Sequence, residues 1–351
     1  MNILLMGYYG QSNIGDDLFV KQLTTYFSTK DIVKNIFVIC QDDYYENVTD
    51  KVSFFSTPKL SKLKRAWLIL RSDCIAWGGG TLNFSGKPKN YLRLQTLSKV
   101  MRKRFCFLGV GIESIKSDSD KGIAQVFENA DLLYVRDNYS YDLALKTFQT
   151  NQACCLGGDL AFLNLSLYDR FIKKEKSSNQ LQNISFSGKH WWGDGRAEFY
   201  AQQLMPVIEQ YNSVIHLLPA HVGDKRNDNK FHELLKKDLP ENHCQLHSWK
   251  HPEEFIEILS QMDFHIGNRL HSLILADILG VPSIGIGEAS SKIGNYVTKT
   301  GILPTERVAA FMEPLPLERI EKISQNYERP DEFILNESQT SRECLELIFR
   351  K

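Results

Sequence analysis

MNILLMGYYGQSNIGDDLFV, residues 1–20, is the stretch on which the reading of this chain turns. Asn2–Met6 is a short apolar run of strand character. A turn follows with three glycines in nine residues (Gly7, Gly10 and Gly15), and an amphipathic stretch starts near Asp17. A strand that feeds a glycine-rich turn and then a helix is the opening unit of a parallel sheet with helical crossovers. Glycine lets the backbone approach a ligand closely, and the helix start offers N–H groups with no partner of their own. The spacing is not Gly-x-Gly-x-x-Gly, and Asp42 and Asp43 follow Gln41 in a loop rather than closing the second strand. A dinucleotide site of the usual kind is therefore unsupported. Asp16 and Asp17 fit the cap and first-turn acid of the helix, and one of them could also act as a base.

The same alternation continues outward. Strands are expected at Asn35–Cys40, Lys51–Phe55, Cys74–Trp77, Phe105–Val110 and Leu132–Val135, with helices at Asp17–Ser28, Lys62–Leu70, Tyr91–Arg104, Gly122–Glu128 and Tyr139–Thr147. The polar, charge-rich segment from Phe171 to Asn183 reads as a linker. Beyond it the pattern restarts. Strands are expected at Asn183–Ser187, Ser213–Leu218, Cys244–Ser248, Phe264–Gly267 and Pro282–Ile286, and helices at Arg196–Tyr211, Asn229–Lys237, Pro252–Gln261 and His271–Leu279. The expected fold class is α/β, with two Rossmann-like domains (1–172 and 183–351) facing a cleft. The last helix, Ser341–Phe349, could pack back on the first domain. Ligands of open α/β sheets bind beyond the strand C-terminal ends, so the residues just after each strand carry the functional signal.

Composition narrows the partners. The 351 residues hold 42 Lys+Arg and 42 Asp+Glu, which leaves no global basic excess for nucleic acid. No stretch is apolar enough for a transmembrane helix, and the N-terminus lacks a signal-peptide pattern. The 7 cysteines are odd in number and contain no Cys-x-x-Cys pair, so reduced thiols in a cytoplasmic protein are expected. His243, His247 and His251 are spaced by four, but Cys244–Ser248 reads as a strand, so no zinc-binding helical face is expected. No metal site is assigned.

Several strand ends stand out. Gly78, Gly79 and Gly80 follow the fourth strand, and three consecutive glycines imply a tight passage or a ligand against the backbone. Arg136 follows the sixth strand, where it could grip an anion or pair with Asp137. In the second half, Gly267-Asn-Arg269-Leu-His271 places a fixed cation and a group that titrates near neutrality at the start of an apolar helix, where the dipole favours an anion. Lys292 could add a third positive charge. Lys189 and His190 follow the first strand of this half beside Trp191 and Trp192, which read either as a sugar-stacking platform or as a hydrophobic anchor.

In order along the chain, GYYGQSNIGDD (7–17), AWGGGTL (76–82), GVGIE (109–113), ADLLYVRDNYS (130–140), GGDLAF (157–162) and MDFHIGNRLHSLILADILGVPSIGI (262–286) resemble the polysaccharide pyruvyl transferase family. The resemblance runs from residue 7 to about 303. It implies a GT-B-like fold and transfer of the enolpyruvyl unit of phosphoenolpyruvate to a sugar, possession of which by a polysaccharide, an oligosaccharide or a lipid-linked precursor stays open. The product would be a cyclic ketal. Phosphoenolpyruvate is a multiply charged anion, so a neutral protein needs a local cationic cluster, for which Arg269, Lys292 and Arg136 are the candidates, with Lys189 in reserve. His271 would protonate the methylene carbon, and Asp16 or Asp17 would take the hydroxyl proton. Tyr8, Asn13, Gly79, Gly80, Trp191 and Trp192 are expected on the acceptor. The scheme needs no metal or organic cofactor, and a transient membrane-surface contact would suit a lipid-linked acceptor. The rival reading is a GT-B glycosyltransferase with a nucleotide-sugar donor, which would need a base- and ribose-binding segment rather than a proton donor at His271.

Overall fold

The computed structural model describes residues 1–43, 45, 49–82, 88–112, 121–147, 153–172 and 181–350. Two compact units emerge. The first comprises Met1–Gln11, Gly15–Asn164 and Ile334–Lys351, and the second Ser12–Ile14 and Leu165–Phe333. The sequence reading divides the chain at 172 and 183 instead, and most of its linker (173–180) lies outside the described residues.

The first sheet is built from β1 (Asn2–Met6), β2 (Asn35–Cys40), β3 (Val52–Ser56), β4 (Cys74–Gly78), β5 (Thr81–Leu82), β6 (Arg104–Ile112), β7 (Leu132–Val135) and β8 (Ala153–Leu156). Its order is β3-β2-β1-β4-β6-β7-β8, with β5 paired to β6. The ladders are parallel. Ile3, Leu4 and Leu5 are fully buried, as a strand covered on both faces requires. The helices are α1 (Ile14–Ser28), α2 (Lys62–Arg71), α3 (Pro88–Val100), α4 (Lys121–Glu128) and α5 (Asn138–Thr147). In α1, residues 14–20, 22–24, 26 and 27 are all buried, so the helix is covered on nearly every side.

The second unit holds α6 (Asp194–Tyr211), α7 (Asn229–Lys237), α8 (Pro252–Ser260), α9 (Leu270–Leu279), α10 (Lys292–Lys299), α11 (Pro304–Arg307) and α12 (Leu317–Asn326). Its sheet strands are β9 (Asn183–Ser187), β10 (Val214–Leu217), β13 (Cys244–Leu246), β14 (Phe264–Gly267), β15 (Ser283–Ile286) and β16 (Val308–Ala309), in the order β13-β10-β9-β14-β15-β16. A small hairpin, β11 (Val222–Gly223) with β12 (Arg226–Asn227), stands apart. In both sheets the first strand sits in the middle, and the order reverses beside it, the doubly wound arrangement of a Rossmann domain. Every residue of α9 from Ser272 to Leu279 is buried, which explains why that helix is apolar all round. The one charge inside it, Asp277, is met by Arg307 at 2.7 and 3.0 Å and by the Tyr296 hydroxyl at 2.6 Å.

The last helix, α13 (Asp331–Glu346), is longer than the Ser341–Phe349 expectation, and from Ile334 onward it belongs to the first unit. The Tyr134 hydroxyl donates to Ser341 Oγ at 2.9 Å. A Cβ on Gly158 would lie 2.3 Å from the Glu337 carbonyl oxygen, so this glycine is what lets the helix approach.

Candidate functional site

In the second unit the order of strands reverses between β9 and β14, and two turns meet beyond their C-terminal ends. One is Gly188-Lys189-His190 after β9. The other is Asn268-Arg269 after β14, which leads into α9. Both turns are held by buried neutral histidines. His232 Nε2 accepts the Gly188 N–H at 3.1 Å, and burial pushes its pKa down to about 4. His265 joins Ser185 through Nδ1 and Ser272 through Nε2, both at 2.8 Å, and burial takes its pKa to about 3. Ser272 Oγ in turn donates to the Arg269 carbonyl at 2.8 Å, which fixes the first turn of α9. A Cβ on Gly267 would come within 2.4 Å of His265 Nε2, so the network accounts for that glycine.

Arg269 caps α9 in extended conformation and is aimed by Asp228. Its Nε donates to Asp228 Oδ2 at 3.1 Å and its Nη2 to Oδ1 at 2.5 Å. Asp228 Oδ1 also accepts the His190 N–H at 3.1 Å, and the carboxylate is fully buried. Around this pair gather Lys189, Arg196 and Lys292. The Lys189 ammonium is pushed down from 10.5 to about 8, first by burial and then by Arg269 and Lys292, with Arg196 adding to them and Asp228 opposing. Lys292 lies at the start of α10, whose cap Ser291 accepts the Gly294 N–H at 3.3 Å. His271 is half-buried in the first turn of α9. The result is a patch of concentrated positive charge at a strand-order reversal and a helix N-terminus. Such a patch is suited to a small, multiply charged anion, with a histidine two residues from its arginine.

The two tryptophans part company. Trp191 is 59% exposed, with Lys189 Nζ 5.0 Å and the Arg269 guanidinium carbon 5.7 Å from its ring centre. Trp192 is buried and stacks on Tyr200 at 5.4 Å, with its edge on Phe231. It is a core residue, which corrects its placement on a sugar-stacking platform. The bulk of the indole explains this: it closes the apolar space between α6 and α7.

Arg136 also departs from expectation. It is buried in the first unit, donating to Asp159 Oδ2 at 2.7 Å and to Thr81 Oγ1 at 3.1 Å. It ties β5 and β7 to the segment after β8, within the first unit. The bidentate reach of an arginine serves a buried partner as readily as a ligand, and sequence alone does not distinguish the two.

In the first unit the order reverses between β1 and β4. Asp17 is fully buried and accepts from the Gly10 N–H at 2.8 Å and from the Tyr45 hydroxyl at 2.5 Å, so it closes the glycine-rich turn. Asp16 instead lies against Gly80, where an added Cβ would meet its Oδ1 at 2.9 Å. Gly79 and Gly80 have φ of 71° and 79°, the left-handed region that glycine adopts freely. The Tyr9 hydroxyl donates to the Gly78 carbonyl at 2.8 Å and is pushed well above its ordinary value by burial and by the Asp16 charge. Tyr8 is 38% exposed on the same turn. Asn13 forms an antiparallel bridge with His221, both within the second unit.

Sequence reading missed Asp228, His232 and His265. The first gives no signal beyond an acid before a helix. The others are lone histidines, whose partners lie on distant segments.

A family model described as polysaccharide pyruvyl transferase matches residues 13–290, well over half of the chain. The chain belongs to the polysaccharide pyruvyl transferase family. A comparison with curated protein sequences finds no match. Among solved structures, similar folds include UDP-GlcNAc 2-epimerase from Neisseria meningitidis bound to UDP-GlcNAc, at 10% identity, TM-score 0.61 and coverage of 100% of each chain. UDP-GlcNAc 2-epimerase from Methanocaldococcus jannaschii matches at 10% identity and TM-score 0.63, covering 99% of each chain. Sucrose-phosphate synthase from Thermosynechococcus elongatus matches at 11% identity and TM-score 0.55, covering 100% of this chain and 95% of that one. At such identities the likeness is one of fold, and it makes this family member GT-B-like, with two Rossmann-like units. No helix among the described residues is long and apolar enough to cross a membrane.

Proposed function

We propose that this pyruvyl transferase takes its pyruvyl unit from phosphoenolpyruvate and installs it on a sugar as a cyclic ketal, with phosphate as the other product. The observation that carries the reading is the cluster of Lys189, Arg196, Arg269 and Lys292 around the β9–β14 turns, with Arg269 held by buried Asp228. The phosphate and carboxylate of the donor need several cations, and charge-assisted contacts are worth about 1.5–3 kcal/mol each. Trp191 covers the edge of this cluster and offers an exposed face to a sugar.

His271 donates a proton to the methylene carbon, which becomes the methyl group, while a sugar hydroxyl adds its oxygen to C2. Asp16 takes the hydroxyl proton. Asp17 is the less suited of the pair, being fully buried with its carboxylate accepting from Gly10 and Tyr45. The bond from C2 to the phosphate oxygen then breaks, a second hydroxyl of the same sugar attacks C2 and loses its proton, and the ketal closes. No metal or organic cofactor takes part in these steps.

The test is incubation with phosphoenolpyruvate and a panel of nitrophenyl and lipid-linked glycosides. A gain of one pyruvyl unit by mass, matched by released phosphate and abolished by His271→Ala, is the expected result. Transfer from a nucleotide-sugar with phosphoenolpyruvate left intact would overturn it, as would substantial activity in the histidine variant.

A further inference from the structure

Charge in this neutral chain is not evenly spread. From Lys59 to Arg104 the sequence contains twelve Lys or Arg residues and a single acid, Asp73. Helix α2, with sequence KLKRAWLILR, lies in this stretch and has no acidic residue. Only Leu68 is fully buried along it, and Leu68 holds the helix to the sheet with help from Trp67, whose ring lies 5.9 Å from Phe37. Leu63, Trp67 and Leu70 are 85%, 40% and 61% exposed. They fall at i, i+4 and i+7, so they form one stripe along the helix, from which Trp67 also reaches Phe37. Lys62, Lys64 and Arg71 flank that stripe and are exposed as well, as is Arg65. Lys64 Nζ sits 4.0 Å over the Trp67 ring.

The stripe extends onto a neighbour. Lys103 donates to the Leu70 carbonyl at 2.8 Å and also to Ser72, which ties the end of α2 to the segment after α3. There Leu97 and Val100 are 45% and 77% exposed, among Lys99 and Arg102. Because β3 runs parallel to β4, α2 begins at the sheet edge on which Asp16 and Gly80 lie.

A helix that leaves leucine and tryptophan in water inside a ring of cations has the chemistry of an interfacial segment. The apolar groups enter the headgroup–acyl boundary, the indole sits at its level, and the cations meet anionic headgroups. A second copy of the chain is a poor occupant, since it would bring the same positive face. A nucleic acid would satisfy the cations and leave the apolar stripe with nothing to bury it. We propose that α2, with the end of α3, is a docking face that seats this protein on an anionic lipid bilayer. The face belongs to the first unit and shares no residue with the cationic cluster of the second, so the proposal stands whichever donor the enzyme uses.

Sedimentation of the full chain with vesicles tests it. The protein should bind mixed phosphatidylcholine–phosphatidylglycerol vesicles and not pure phosphatidylcholine, with affinity falling as salt rises. Each lost surface cation should cost about fivefold in partitioning, so K62E/K64E should weaken binding by roughly 25-fold or more. Leu63→Ser with Trp67→Ser should abolish binding at any lipid charge. Trp67→Phe should keep binding and remove the vesicle-induced blue shift of the indole emission. Should the double serine variant fail to fold, K62E/K64E decides alone, because it leaves the apolar stripe in place. No binding to anionic vesicles, binding indifferent to K62E/K64E, or tighter retention by duplex DNA at the same salt would each overturn the proposal.

Discussion

Asp228 works through another residue. Its carboxylate is fully buried, takes two bonds from Arg269 and one from the His190 backbone, and so leaves the arginine pre-aimed before any ligand arrives. In Asp228→Asn one acceptor becomes an N–H₂ group that opposes the guanidinium. With charge-assisted bonds worth about 1.5–3 kcal/mol, donor affinity should fall roughly tenfold or more by calorimetry while kcat changes far less. An unchanged affinity would take the positioning role away from Asp228. Lys189 gives a pH signature in the same cluster. In the free protein its pKa is about 8, so it is charged below that pH and neutral above it. An anion favours the charged form, so binding should take up a proton near pH 8, and affinity should decline as pH rises through 8 and beyond. Calorimetry in buffers of different ionisation enthalpy reads that uptake directly. Lys189→Arg, which stays charged throughout, should flatten the decline, and a slope that persists in it would place the titrating group elsewhere.

At the level of elements, the turn after β4 is tightly constrained. Gly79 has φ of 71°, and a Cβ there would lie 2.0 Å from the Phe19 ring of α1. Left-handed backbone costs an ordinary residue about 1–2 kcal/mol, and displacing a buried ring adds to that. Gly79→Ala should therefore lower stability by roughly 3 kcal/mol or more in denaturant titration, and a loss under 1 kcal/mol would show that Phe19 has room to move. The triple glycine carries this constraint openly in the sequence. Other elements were just as legible: β1, β2, β7, β9, β14 and α7 stand where apolar runs and flanking glycines put them. The helices α10 and α12 and the first half of α13 were not, because each turns a mostly polar face outward and anchors through a few contacts. The pairing of β16 with β15 was equally hidden, since two residues carry no periodicity. In the site, Arg269 and His271 could be read from a motif at a strand end. The burial of Arg136 and Trp192 could not, because it depends on Asp159 and Tyr200, which the fold and not the sequence brings to them.

The whole molecule distributes its titrating groups unequally. All nine histidines fall between His190 and His271, hence in the second unit. His232 and His265 are fully buried there, with pKa values of about 4 and about 3 in place of the ordinary 6.5. Their burial as neutral rings is tolerated only while the solution does not press a proton on them. The unfolded chain binds protons at these sites below pH 6.5 and the native chain does not, so the stability they allow is intact above that pH and is lost progressively as pH falls towards 4. Between pH 7 and pH 5 each histidine should take away about 2 kcal/mol, or roughly 4 kcal/mol for the pair. The first unit has no such group, so acidification should loosen one Rossmann-like unit before the other. Hydrogen exchange followed by mass spectrometry should show β9 and β14 losing protection at pH 5 while β1 and β6 keep theirs, once intrinsic exchange rates are corrected for pH. Equal loss in both units, or none in the second, would mean that these two histidines do not set the acid limit of the fold. His265→Gln with His232→Asn, which keep a side-chain acceptor without the titration, should shift the second unit's acid midpoint downward if the variant folds at pH 7. His265→Gln alone should move it by about half as much.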